Sequence, residues 1–108
     1  MGLHALVLVQ DSGLRELIRD LLLPDDEVLA VWPPPDDLRG AATQLLVVDA
    51  DDLPEGTPHR ELIRRWSREL PTVLLSSRVA TARRHGVCLV LPKPIPLPLF
   101  YAFVDALR

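Results

Sequence analysis

With 108 residues the chain has room for one domain and not two. Hydrophobic residues make up 48% of it, enough to build a core, and a net charge of -3 argues against the clustered Lys/Arg surface that nucleic acid requires. A single cysteine, Cys88, excludes a disulfide framework and a cysteine-based zinc site.

Residues 4–9 (HALVLV) form a short, continuous apolar run, the pattern of a strand covered on both faces. Residues 11–23 follow as an amphipathic helix: Leu14, Leu17, Ile18, Leu21 and Leu22 recur at helical spacing, Asp11 or Ser12 can cap the start, and Pro24 ends it. Residues 26–32 (DEVLAVW) are a second, shorter strand. The proline-rich stretch 33–43 reads as a loop with room for one helical turn. Residues 44–49 (QLLVVD) are a third strand, and 54–58 (PEGTP) a turn. In 59–70 (HRELIRRWSREL), Leu62, Ile63, Trp66 and Leu70 make one stripe of a second helix. A fourth strand covers 71–77. The basic segment 78–86 (RVATARRHG) has space for two helical turns at most. A fifth strand spans 87–92 (VCLVLP), with Cys88 as a core residue. After KPIPLP, a last helix over 99–108 places Leu99, Phe103, Ala106 and Leu107 on its apolar face.

Apolar strands alternating with amphipathic helices predict an α/β chain. The expected architecture is flavodoxin-like: a doubly wound, five-stranded parallel sheet in the order 2-1-3-4-5, with a shortened helix four and residues 1–108 as one domain. In such sheets the site lies at the carboxyl ends of the strands. Those ends carry Gln10 and Asp11, Asp49, Ser76 and Ser77, and Lys93. The N-terminus MGLHALVLVQDSG has no basic start, and no apolar run approaches the roughly 18 residues of a membrane helix. These features predict a soluble, reducing, cytoplasmic setting.

An acid after the third strand, a serine after the fourth and Lys-Pro after the fifth resemble the receiver domain of two-component response regulators, over essentially the whole chain. The resemblance implies that Asp49 is the acceptor of a phosphoryl group from a histidine kinase. Ser76 and Lys93 are then its hydrogen-bonding and charge partners, and Pro94 follows a cis peptide. Gly86, seven residues before Lys93, matches the glycine that opens the family's fifth strand. The chemistry fits these residue types. A carboxylate attacks the phosphoryl group, and a cation, a hydroxyl and a lysine neutralise the charge spread over its oxygens.

The sequence departs from that pattern in four places. The acid pair after the first strand aligns with Val9 and Gln10, with only Asp11 acidic there, one position late. Pro54 follows Asp49 one residue later than the family's proline. The span from Ser76 to Gly86 is short, which clips helix four. Val90 stands where the family has the aromatic ring that swings on activation. Asp11, Asp49 and Asp51 are thus the candidate metal ligands, and any Mg²⁺ is expected to bind weakly. The bland readings stand beside these. Asp49, Asp51 and Asp52 can be a solvated loop, Asp11 a helix cap, Ser76 a strand-end hydroxyl and Lys93 an exposed amine in a turn. His4, His59 and His85 have no metal spacing, and Trp32 and Trp66 suit core packing.

The expected function is a non-enzymatic, receiver-like signalling domain of a phosphorelay, with a degenerate phosphorylation and Mg²⁺ site, acting through protein–protein contacts. The alternative is a conventional receiver phosphorylated on Asp49. A third, weaker option is an unrelated doubly wound domain that binds a nucleotide or flavin, although QDSG holds one glycine where a phosphate loop needs several. Expected partners are a histidine kinase or another signalling protein and a second copy of the chain. The self-association surface is placed on the fifth strand and last helix, at Leu97, Phe100 and Tyr101, because a clipped helix four leaves apolar area uncovered. Neither nucleic acid nor membrane is an expected partner.

Overall fold

The structure, a computed structural model, describes residues 2–36, 42–53 and 56–108. The apolar runs become strands β1 (His4–Leu8), β2 (Glu27–Ala30), β3 (Leu45–Asp49), β4 (Thr72–Leu75), β5 (Arg83–His85) and β6 (Cys88–Leu91). They form one sheet in the order β2-β1-β3-β4-β6-β5. The chain is α/β with a mixed sheet. The first five strands of that order run parallel, and β5 pairs antiparallel with β6 at the edge. The all-parallel, five-stranded expectation is corrected on this point.

The correction has a local cause. Residues 78–86, expected as a clipped helix four, hold no helix, and Arg83–His85 turn back on Cys88–Val90 as a hairpin. Its two-residue turn is Gly86-Val87. Gly86 takes a φ of 59° and, among the described residues, no non-glycine has a positive φ, as a turn with glycine in its first position requires. The basic side chains of β5 suit an exposed edge, since charge discourages further strand pairing.

Alternation along the strands sorts the core into two layers. Ala5, Val7, Val9, Leu45, Val47, Val73, Leu75, Leu89 and Leu91 face one side and pack against Ile18 and Leu22, and Phe100, Phe103 and Val104. Those partners come from helix α1 (Ser12–Leu21) with its C-cap, and from α3 (Leu97–Asp105). Leu6, Leu8, Leu46 and Val48 face the other side with Leu53, Ile63 and Trp66. Helix α2 (Pro58–Glu69) covers that side. It starts at Thr57, whose side chain accepts the Arg60 N–H, with Pro58 in the first turn where its missing donor costs nothing. Trp32 packs against this second layer, and both tryptophans are half-buried.

The last helix also differs from its sequence reading. It begins at Leu97, because Pro98 is tolerated in a first turn, and it ends at Asp105. Its buried stripe is Phe100, Phe103 and Val104, so Leu99 is 45% exposed and Ala106 is exposed. Leu17 of the first helix, expected on the apolar face, is likewise largely exposed. The helical turn expected within 33–43 falls partly on residues outside the described ones, as do Pro54 and the start of the 54–58 turn. No helix among the described residues is long and apolar enough to cross a membrane.

Candidate functional site

The carboxyl ends of β3, β4 and β6 lie side by side, because β4 pairs with β3 on one side and β6 on the other. Asp49 closes β3 and is 3% exposed. Its Oδ1 accepts the Asp51 N–H at 3.0 Å, which starts a single 3₁₀ turn over Ala50–Asp52. Its Oδ2 lies 2.6 Å from Lys93 Nζ. Lys93 follows β6 at the head of a cis Lys93–Pro94 peptide. The same ammonium reaches Asp51 Oδ2 at 3.0 Å, so one lysine spans two carboxylates.

Ser76 enters from the middle strand. Its N–H donates to the Leu91 carbonyl at 3.0 Å, which fastens it beside the end of β6. Its hydroxyl donates to Asp51 Oδ1 at 3.3 Å and accepts the Arg78 N–H at 3.2 Å. The Ser77 N–H donates to Asp51 Oδ2 at 3.0 Å. Asp51 therefore collects a hydroxyl, a peptide N–H and an ammonium. Burial works against its charge, yet the Ser77 N–H and the Lys93 ammonium outweigh that and hold its pKa at about 2. Burial likewise works against charge on Lys93, but hydrogen bonds to Asp49 and Asp51 prevail and raise its pKa above the ordinary lysine value. The lysine is 26% exposed at its side chain, so the cluster opens to solvent on one side.

The structure brings Asp49, Asp51, Ser76 and Lys93 together. It keeps Asp11 apart in role: the Asp11 carboxylate accepts the Leu14 N–H at 2.7 Å and caps α1. Asp52 turns to the end of β1 and accepts the Gln10 N–H at 3.0 Å. Ser77 was read in the sequence only as a strand end and given no role, for a physical reason: it contributes a backbone N–H, which nearly any residue supplies.

The donor set does not fit a resident Mg²⁺. Among the described residues, no group of three or more His, Cys, Asp and Glu side chains is arranged to hold a metal ion. Both Asp51 oxygens and both Asp49 oxygens already take hydrogen bonds, and Lys93 supplies the counter-charge that a cation would bring. An octahedral ion that holds its waters tightly would have to displace that lysine.

The expected association surface needs one correction. Leu97 and Tyr101 are 41% and 42% exposed, but Phe100 is fully buried, its ring turned into the core. A helical stripe places residues 97 and 101 on one side and residue 100, a rotation of about 100° away from 101, on another. Leu99 joins the exposed pair. Cys88 is buried, and burial pushes its thiol pKa up, which suits an inert core residue. Val90 is half-buried on β6, opposite Arg83.

No protein-family model matches the chain, and no curated protein matches it in sequence.

Proposed function

We propose that the chain is a receiver-like signalling domain of the two-component type, with a flavodoxin-like winding, that works by binding other proteins and not by accepting phosphate. The observation that carries this reading is the Lys93–Asp49 contact at 2.6 Å. It joins an acid after the third strand to a lysine after the last parallel one, with Ser76 between them, in the order and at the sheet edge that receivers use. The same contact supports the degenerate form of the reading. Asp49 is 3% exposed, and its Oδ2 is held by an ammonium. Val90 offers no ring to swing, so a phosphoryl group on Asp49 would have little to repack at the β6 and α3 face. A ligand shifts an equilibrium only by its differential affinity for two states, and here the two states differ little.

The working surface in this reading is the exposed pair Leu97 and Tyr101, four residues apart on one side of α3, and its occupant is a second copy of the chain or a signalling protein such as a histidine kinase. Sedimentation equilibrium tests the first case. Tyr101→Arg is expected to weaken self-association more than tenfold, about 1.4 kcal/mol. Asp49→Asn is expected to leave it within a few-fold of the unmodified chain. Beryllofluoride with Mg²⁺, titrated by NMR, is expected to leave the α3 signals in place. Saturable shifts that run from Asp49 to Tyr101 would overturn the reading in favour of a phosphorylation switch.

A further inference from the structure

The Asp51 carboxylate has surroundings unlike those of any other acid in the described chain. Three donors of three kinds converge on it from two separate segments: the Ser76 hydroxyl at 3.3 Å, the Ser77 N–H at 3.0 Å and the Lys93 ammonium at 3.0 Å. A hydroxyl, a peptide N–H and an ammonium, pointed at one small volume, are the donor set by which proteins hold a free oxyanion. The β-strand ends and the cis Lys93–Pro94 junction position those donors; Asp51 does not belong to either segment. It is delivered from the far side by the 3₁₀ turn after β3, and that turn is set by the Asp51 N–H on Asp49 Oδ1 at 3.0 Å. The Asp51 side chain is 26% exposed, so the volume it fills is reachable from solvent.

We propose that Asp51 is the built-in occupant of an oxyanion pocket formed by Ser76, Ser77 and Lys93, and that the pocket takes a free oxyanion such as inorganic phosphate once the carboxylate is removed. Two effects keep the free anion out of the intact chain. A tethered carboxylate competes at an effective concentration that a dissolved ion does not reach. The cluster also carries two carboxylates against one lysine, which repels a further anion. Removing Asp51 leaves Asp49 and Lys93 balanced in charge and leaves the Ser76 hydroxyl and the Ser77 N–H without their carboxylate acceptor, a cost in lost hydrogen bonds. Filling the pocket relieves that cost. The inference deepens the signalling reading, and rests on it only for the consequence: Ser76 and Lys93 are held in place permanently, with no phosphoryl group needed to draw them together.

Inorganic phosphate titrated into ¹⁵N-labelled protein tests this directly. In the unmodified chain the Ser77 amide signal is expected to stay in place. In Asp51→Ala it is expected to move and saturate, with an apparent Kd at least tenfold below any value for the unmodified chain. Adding Ser76→Ala to that variant is expected to weaken binding several-fold. A folded Asp51→Ala that ignores phosphate overturns the proposal. So does an unmodified chain that binds it equally well, or a response confined to the basic residues Arg83, Arg84 and His85. Should Asp51→Ala fail to fold, Asp51→Ser shortens the side chain while keeping a polar group in the turn, and the same outcomes apply. The test is separable from the signalling reading. A null result removes the pocket and leaves association through Tyr101 untouched, whereas loss of that association with phosphate binding intact removes the reading and leaves the pocket.

Discussion

Each end of the sheet carries a carboxylate–cation cluster, and the two are matched differently. At the amino end, Asp26 sits just before β2 with its side chain fully buried. Its two oxygens accept the Leu3 N–H and Leu23 N–H, both at 2.8 Å, and the Arg108 guanidinium as a fork at 2.8 and 2.7 Å. Arg108 also reaches the exposed Asp105 at 3.6 Å, but the Asp26 oxygens are fully engaged. Three distant stretches of chain are fastened at that point, and Gly2 lies so close that a methyl group there would overlap the Asp25 carbonyl. At the carboxyl end, two acids share one lysine, and both Lys93 and Asp51 are partly open to water. A buried carboxylate with both oxygens fully engaged has no capacity left for a ligand and acts as a fastener. A half-open cluster keeps charge and donors that a ligand can use. The two ends share their chemistry and differ in exposure.

The largest expected effect comes from breaking the fastener. Asp26→Ala leaves two N–H groups unpaired and the guanidinium facing the exposed Asp105, and the expected loss is about 3 kcal/mol of unfolding free energy, read from urea midpoints at neutral pH. The pH dependence has a definite sign. Hydrogen bonding from Arg108 holds the Asp26 pKa well below its ordinary value of 3.8, prevailing over the opposing effect of burial. A depressed folded-state pKa gives stability that is present above the unfolded value and lost as pH falls below it. Asp51, held at about 2, adds a smaller loss in the same acid range. Urea midpoints of the unmodified chain are expected to fall steeply below about pH 4. Those of Asp26→Asn start lower and fall less, so the two curves converge in acid. Parallel curves would show that Asp26 is not the fastener.

A smaller effect is expected at the carboxyl end. Lys93→Met leaves Asp49 buried beside Asp51 with no cation, and the expected cost is about 2 kcal/mol near neutral pH. Because protonating one of the two acids relieves their repulsion, that cost should already shrink as pH falls toward about 4, a higher range than the one in which the Asp26→Asn penalty closes. A Lys93→Met penalty that grows in acid, or that closes only below about pH 4 as at Asp26, would erase the distinction between the two ends.

The site was largely legible in the sequence and the fastener was not. Asp49, Ser76 and Lys93 each close an apolar run, so periodicity alone assigns them to strand ends, and the pairing of β3, β4 and β6 brings them together. Asp26 follows another acid in a short loop, and nothing local tells of Arg108, 82 residues away. Strand β5 was missed because Arg83, Arg84 and His85 carry no apolar pattern. Their strand is held by the ladder to β6 and by Arg84, whose guanidinium carbon lies 5.4 Å from the Phe103 ring centroid on the two-helix side. The one local signal was Gly86-Val87 ahead of a strand, a hairpin turn read instead as a strand opening. The face of α3 was misjudged because two stripes share Phe103: Leu99, Phe103, Ala106 and Leu107 have helical spacing as good as Phe100, Phe103 and Val104, and docking on the sheet buries the second.

The smallest effect separates two roles for Asp11 at the carboxyl end, cap and cation ligand. As a cap, the residue needs only a short side-chain oxygen to accept the Leu14 N–H, which it now does at 2.7 Å. Serine supplies such an oxygen and alanine does not. Asp11→Ala is therefore expected to cost about 1 kcal/mol, and Asp11→Ser only a few tenths, both read from thermal or urea midpoints without added metal. A cation ligand obeys a different rule: its carboxylate charge is the contribution, so serine and alanine would both weaken Mg²⁺ binding, and added Mg²⁺ would stabilise the unmodified chain alone. Equal losses in the two variants, appearing only with Mg²⁺ present, would move Asp11 into the site. Serine behaving like aspartate, with or without Mg²⁺, leaves the lysine as the cation of that end of the sheet.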